Sequence, residues 1–321
     1  MSLRRCCRCW PVLLMSVSCG NDSPDHDTGS SAEDAAALEL PYAPCAPEAG
    51  VGEFSIDLGP DYTSAQGKVL DSVMTDQLPV MQAQAGDCRL LTSPKHLCDP
   101  ACPVATQICG AGNRCVDLPS PRDVGAVTLS GLLVPVRMSP NPVTGNYHPE
   151  GGPLPYPAYR AGAGLQLHAQ GGEYDAFELG GWGVSALELT TDPVVVESGA
   201  ATQLAWKVPR QVGPARVQLA LHLDNHGSSN AWIECDVADQ GSAEIPATLI
   251  DGLLTLGRSG FPTVTLTRRT ATSTGMDLGC VQLLVTSSVT AGVSLAGLVS
   301  CNDSSMCPSG QTCRPLLRYC E

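Results

Sequence analysis

His222, Asp224 and His226 are the tightest group of residues in this 321-residue chain that could do acid–base or metal chemistry. Residues two apart on an extended strand share a face, so His222 and Asp224 project together. With Asn225 they could hold a metal ion or relay a proton, and a metal-assisted hydrolase using His222, Asp224 and His226 is the enzymatic alternative. The same residues also describe a strand running into a solvated Asp-Asn-His-Gly-Ser-Ser turn. That is the reading adopted, so no catalytic residue, metal ligand or cofactor is assigned. Asp236, Asp239 and Glu244 offer oxygen ligands of the kind calcium takes, but they equally suit the polar end of a strand before a helix. HExxH, Walker, GxSxG and EF-hand signatures are absent from the sequence.

Aromatic residues make up only 4% of the chain, so few stacking surfaces are available. Trp182, in Glu178-Leu-Gly-Gly-Trp-Gly183, sits among glycines that permit tight turns. Trp232 falls on the outward side of its strand. Together with Tyr159 they are the candidate ligand contacts, and an aromatic patch binding carbohydrate or peptidoglycan is the second alternative function. The plainer expectation is that Trp182 and Trp206 fill the core and Trp232 covers an edge. The Pro/Tyr/Gly-rich stretch from Asn146 to Tyr159 reads as a long loop, and loops on rigid β scaffolds commonly bind.

Cysteine is the other chemically loaded residue, with 16 copies. Cys6, Cys7, Cys9 and Cys19 lie at the start. Six follow (Cys45, Cys88, Cys98, Cys102, Cys109, Cys115), then Cys235 and Cys280, then Cys301, Cys307, Cys313 and Cys320. Each later cluster is even, so complete pairing within clusters is possible, as in an oxidised protein. On that basis Cys45 is matched with Cys88 and Cys235 with Cys280. Cys280 fits awkwardly, because alternation puts it on the face opposite Val281, Leu283 and Val285. The spacing in the two four-cysteine stretches differs from the paired Cys-x-x-Cys of zinc knuckles, which argues against metal.

The N-terminus explains the oxidation. Arg4, Arg5 and Arg8 precede a short apolar run from Trp10 to Met15, then Ser16-Val-Ser-Cys19-Gly20. This is the layout of a signal peptide, and it is too short to span a bilayer. Between Asp22 and Asp61 there are ten acidic residues and no Lys or Arg, and the part up to Glu39, with little to bury, reads as a solvated tether. The formal net charge of −14 repels phosphate backbones and excludes nucleic acid as a partner.

The elements that must carry these residues are strands. Thr202, Leu204 and Trp206 alternate with polar neighbours. So do Val217, Leu219, Leu221 and Leu223; Ile233, Cys235 and Val237; Val264 and Leu266; and Val281, Leu283 and Val285. Short, numerous, one-sided strands predict an antiparallel β-sandwich of seven to nine strands. One helix is predicted after Pro246, with Ile250, Leu253 and Leu254 on a common face and Gly257 as its stop.

The expected organisation is a signal peptide over 1–18, a lipidated acidic tether over 19–44, a short β-rich segment over 45–97, a four-cysteine module over 98–120, the sandwich over 121–298 and a second four-cysteine module over 299–321.

Ser16-Val-Ser-Cys19 resembles a bacterial lipoprotein signal, which implies acylation of Cys19. Gly20 lacks the Asp that resembles an inner-membrane retention signal, which points to the outer membrane. The Cys98–Cys115 and Cys301–Cys320 stretches share an early Asp, a Cys-Pro pair and a Gln two residues before the third Cys. They resemble small disulfide knots of secreted myxobacterial and related deltaproteobacterial proteins, and that resemblance implies interleaved pairing, first to third and second to fourth. The body resembles Ig-like or fibronectin-like modules. More narrowly, Cys88-Arg-Leu-Leu, Asp123-Val-Gly-Ala-Val-Thr-Leu-Ser and Ile233-Glu-Cys-Asp-Val-Ala-Asp look like an uncharacterised family of deltaproteobacterial envelope lipoproteins. The resemblance carries no activity with it. The reading adopted is a non-catalytic protein with a structural or binding role, held at the bacterial cell envelope through its lipid, periplasmic or surface-exposed, with an unidentified envelope protein or glycan as the expected partner.

Overall fold

Alternation of apolar and polar side chains builds nearly all of the described fold. The computed structural model describes residues 41–321 except 95–96, 111, 210–212 and 225–229. The signal segment, Cys19, most of the tether and His226 therefore lie outside the described residues.

The strands are β1 (Gly50–Leu58), β2 (Thr63–Val69), β3 (Val80–Ala85), β4 (Cys88–Thr92), β5 (Gln107–Gly110), β6 (Arg114–Asp117), β7 (Val127–Ser130), β8 (Val136–Pro140), β9 (Tyr147–Pro149), β10 (Gly164–Ala169), β11 (Phe177–Trp182), β12 (Val194–Val196), β13 (Thr202–Ala205), β14 (Arg216–His222), β15 (Ala231–Ala238) and β16 (Ser242–Ile245). Helix α1 (Ala247–Leu256) follows, then β17 (Thr263–Met276), β18 (Gly279–Leu295), β19 (Cys313–Arg314) and β20 (Tyr319–Cys320). Among the described residues one large mixed sheet runs in the order β11-β10-β7-β8-β9-β2-β1-β18-β17-β14-β15-β4-β3, with β12 added beside β18.

The hairpin β17–β18 organises everything else. At 17 residues, β18 extends roughly 55 Å, long enough to serve two hydrophobic cores with one face. Val281, Leu283 and Val285 close the first core with Phe54, Ile56, Leu129, Met138, Tyr147 and Leu167. Further along, Val293 and Leu295 close the second core with Leu204, Trp206, Leu219, Leu221, Ile233, Ile250 and Leu253. On β17 the same inward face carries Val264 and Leu266 in the second core, then Arg268, Thr270 and Thr272. The hydroxyls of Thr270 and Thr272 donate to the carbonyls of Trp182 (2.8 Å) and Gly180, so β11 rolls over β17.

This differs from a single sandwich over 121–298. Strands are divided between two cores, and β1 to β4 from the 45–97 segment are full members of the sheet. What holds is a mainly β, disulfide-rich fold with one short helix. The helix lies where Pro246 and Gly257 suggest and buries Leu249, Ile250 and Leu253.

Close packing in the first core dictates two local features. Phe54 covers Gly67 on the neighbouring strand so tightly that a Cβ there would lie 2.1 Å from the ring. Tyr147 is buried, and its hydroxyl accepts from the Val124 N–H (2.8 Å) and donates to Asp123 Oδ1 (3.2 Å). Burial, helped by the nearby Asp123 charge, pushes this phenol up to about 12 even though the Val124 N–H favours its anion.

The twelve cysteines from Cys45 onward form six disulfides. Each knot is interleaved, with Cys98–Cys109 and Cys102–Cys115 in one and Cys301–Cys313 and Cys307–Cys320 in the other. The remaining four correct the expected pairing. Cys88 bonds to Cys235, its direct opposite on the β4–β15 ladder, and Cys45 bonds to Cys280. Alternation had put Cys235 and Cys280 on different faces, and the chain obeys it. Each finds a partner on its own face instead of crossing the sheet. The C-terminal knot docks where the Gly260 N–H donates to the Leu317 carbonyl, at a spot so close that any side chain at Gly260 would strike Arg318.

Candidate functional site

The two cores meet at a waist on the inner face of β17, and Arg268 occupies it. Its side chain is 1% exposed, and all five N–H donors are used. Nε donates to Asp239 Oδ2 (2.6 Å), and one terminal nitrogen reaches Asp239 Oδ1 (3.2 Å) and the Lys207 carbonyl (2.7 Å). The other reaches the Ser185 hydroxyl and carbonyl and the Ala186 carbonyl (2.9 Å). Asp239 also accepts from Trp206 Nε1 at 2.7 Å. The pair is thus neutralised and saturated, as a buried ion pair must be.

Above Arg268 a cleft of about 360 Å³ opens, walled by Trp182, Val184, Pro209 and Ala215 and floored by Ser185 and Arg268. Small residues shape it. A Cβ at Gly213 would lie 2.5 Å from the Trp182 indole nitrogen, so only glycine fits against that edge of the ring. Gly183 is required for another reason, because a Cβ would lie 2.7 Å from the ring of Tyr159 beneath it. The result is an aromatic face with apolar walls and a charge-balanced base, of the size and character of small-ligand pockets. It offers stacking and shape.

The candidate ligand contacts separate. Trp182 is half-buried and lines the cleft instead of filling the core. Trp206 does fill the core. Tyr159 is corrected from a contact residue to a core residue, only 2% exposed, because its ring packs under Gly183. Burial and the Asp57 charge hold its hydroxyl far above the usual phenol range. Trp232 lies on the outer face of β15, stacked on His222 with ring centroids 6.0 Å apart. The stretch from Asn146 to Tyr159, expected as a long loop, opens instead with β9 and continues as a loop tied down by the Leu133 N–H to the Ala158 carbonyl (2.8 Å) and by the Ala158 N–H to Thr63 Oγ1 (3.1 Å) at the start of β2. Tyr62, Leu133, Val134 and Tyr156 are exposed on this rigid corner.

The calcium alternative does not assemble. Asp236 accepts from Arg216 (2.7 Å) and Arg269 (3.1 Å), Asp239 from Arg268, and Glu244 from Gln203. Among the described residues no three carboxylates or histidines converge. The cysteine sulfurs that cluster, in Cys98, Cys102 and Cys115 and in Cys301, Cys307 and Cys313, are already oxidised to disulfides.

The solvated-turn reading of the His222 strand needs correction at one residue. Asp224 is only 3% exposed, and neither of its oxygens has a hydrogen-bond partner. Alternation places Asp224 outward but carries no information on what covers that end of the strand.

The chain matches no protein-family model and no curated protein.

Proposed function

We propose that this protein is an exported, envelope-anchored lipoprotein without catalytic activity, acting as a disulfide-braced binding or structural module outside the cytoplasm. The observation that carries this reading is the oxidation of every described cysteine, Cys45 through Cys320, in six bonds. Such a set belongs to an oxidising compartment. The start of the described chain supports an anchor upstream. Tyr42 stacks against Arg216 and Arg269 at 5.7 and 5.8 Å, the Ala43 N–H donates to the Ala271 carbonyl, and Cys45 is bonded to Cys280. A pull on a lipidated Cys19 would be taken up by the central hairpin and not by a loose end. No helix among the described residues is long and apolar enough to cross a membrane. In this reading the fold is an Ig-like or fibronectin-like elaboration of the deltaproteobacterial envelope family that the sequence resembles.

The test is intact mass of protein extracted from envelopes, before and after reduction. We expect a diacyl or triacyl adduct on Cys19 and a gain of about 12 Da on reduction, two hydrogens per disulfide. Many alkylatable thiols in the native protein, together with an unmodified residue 19, would sink the proposal.

The Trp182 cleft favours a second reading within the same class, recognition of a sugar ring by stacking on the indole. On a glycan array the wild-type protein would then bind a defined set of saccharides. Trp182→Ala would lose about 1–3 kcal/mol of that binding, while Trp232→Ala would keep it. Equal binding by the two variants removes the cleft from consideration.

A further inference from the structure

We propose that the Trp182 cleft is a subsite for one N-acetylated hexosamine unit of a saccharide, and that the Ser185 hydroxyl selects its acetamido group. This rests on the sugar-stacking reading of the cleft and names the sugar. Trp182 and Ser185 are fixed to the same strand. The Trp182 carbonyl accepts from the Thr270 hydroxyl (2.8 Å), and the Ser185 hydroxyl accepts from a terminal nitrogen of Arg268 (3.1 Å). Thr270 and Arg268 are two apart on β17 and point the same way, so these anchor points lie about 7 Å apart. Both Trp182 and Ser185 line the one cleft.

The Ser185 hydroxyl is committed on one side only. A guanidinium N–H donates and cannot accept, so the bond from Arg268 uses a lone pair of Ser185 Oγ and leaves its own O–H in need of an acceptor. Among the described residues none takes it. The Ser185 carbonyl accepts from the same nitrogen (3.3 Å), which holds the residue in place from below. The cleft thus presents one fixed donor and one aromatic ring. Its electrostatics select against ions. Arg268 is balanced by Asp239 and has no N–H to spare, so a charged ligand would lose water there and gain no counter-charge. The walls, Val184, Pro209 and Ala215, are apolar. Three demands follow: a face of C–H groups for the indole, a strong acceptor for the Ser185 O–H, and a small apolar group for the walls. An N-acetylhexosamine meets them with its pyranose face, its acetamido carbonyl and its acetyl methyl. A plain hexose lacks the last two.

The experiment titrates the full oxidised chain with the trimer of N-acetylglucosamine and with the trimer of glucose, by calorimetry and by saturation-transfer NMR. We expect the acetylated trimer to bind about tenfold more tightly or better, with its acetyl methyl protons receiving the strongest transfer. Trp182→Ala should remove binding of both trimers. Ser185→Ala should weaken the acetylated trimer roughly three- to tenfold and bring the two affinities together, and Ser185→Thr, which keeps the hydroxyl, should retain the preference. Native circular dichroism and six intact disulfides check the folding of the variants, and the wild-type ranking of the trimers needs no variant. Binding that depends on Trp182 but ranks the trimers equally, or a full preference in folded Ser185→Ala, overturns the proposal and leaves the sugar reading standing. Binding of neither trimer at millimolar concentration also overturns it, and a blank glycan array removes the sugar reading as well.

Discussion

Replacing Arg268 with alanine lowers the unfolding free energy by about 3–5 kcal/mol, the range for breaking a buried ion pair from one side. The guanidinium is almost wholly enclosed and binds Asp239, Ser185, Ala186 and Lys207 together. Its loss leaves a buried carboxylate with only Trp206 as donor, and three carbonyls lose their partner at once. Arg268→Lys restores the charge but not the planar fork, so it recovers part of the loss. The double change Arg268→Met with Asp239→Leu removes both charges and should be much milder than Arg268→Ala alone, giving a large coupling in a double-mutant cycle. Urea unfolding at neutral pH reads all of these. A cost below about 1 kcal/mol for Arg268→Ala would mean that the waist is wet and the pair screened. Because Arg268 also floors the cleft, Arg268→Ala should abolish any ligand binding that depends on Trp182.

The double variant Cys88→Ala/Cys235→Ala should be about 3–5 kcal/mol less stable, with Tm lowered by about 10 °C. These cysteines are 147 residues apart, so the bond removes much of the freedom of the unfolded chain. It also pins β4 to β15 against the second core. The Cys45–Cys280 bond already encloses the same stretch and shortens the effective loop, so each bond partly covers for the other and removing both should cost more than the sum of the two single removals. The knots behave differently. Their bonds span only 11 to 13 residues and hold modules with little apolar interior, so Cys301→Ala/Cys313→Ala should unravel the C-terminal module while the two cores stay folded. Thermal melts under non-reducing conditions, with limited proteolysis of the C-terminal module, separate the cases. Equal loss from the knot and from the Cys88–Cys235 bond would mean that the modules and the cores unfold as one unit.

Much of the fold was legible residue by residue. The alternation Val217, Leu219, Leu221, Leu223 places four buried side chains in one row, and all four are in the second core. The spacing of Ile250 and Leu253, with Pro246 before and Gly257 after, marks the helix and its inner face. These features depend on nearest neighbours along the chain, where backbone geometry and the contrast between apolar and polar side chains act directly. The candidate site was legible only in its ingredients. Trp182 stood out among its glycines, but Arg268 did not, since an arginine on a threonine-rich strand reads as surface.

The strand neighbours could not be read this way. Nothing local says that β4 lies beside β15, so nothing local says that Cys88 belongs with Cys235, or that Cys280 must look back to Cys45. Nor does any short window reveal that β18 serves two cores, which is why Arg268 is buried between them while Trp182 reaches the cleft above it. Those outcomes are contacts between segments far apart in the chain, fixed by which sheet edges meet once the apolar faces have been buried. Local side-chain type sets which way a residue points, and only the packed fold sets what it meets there.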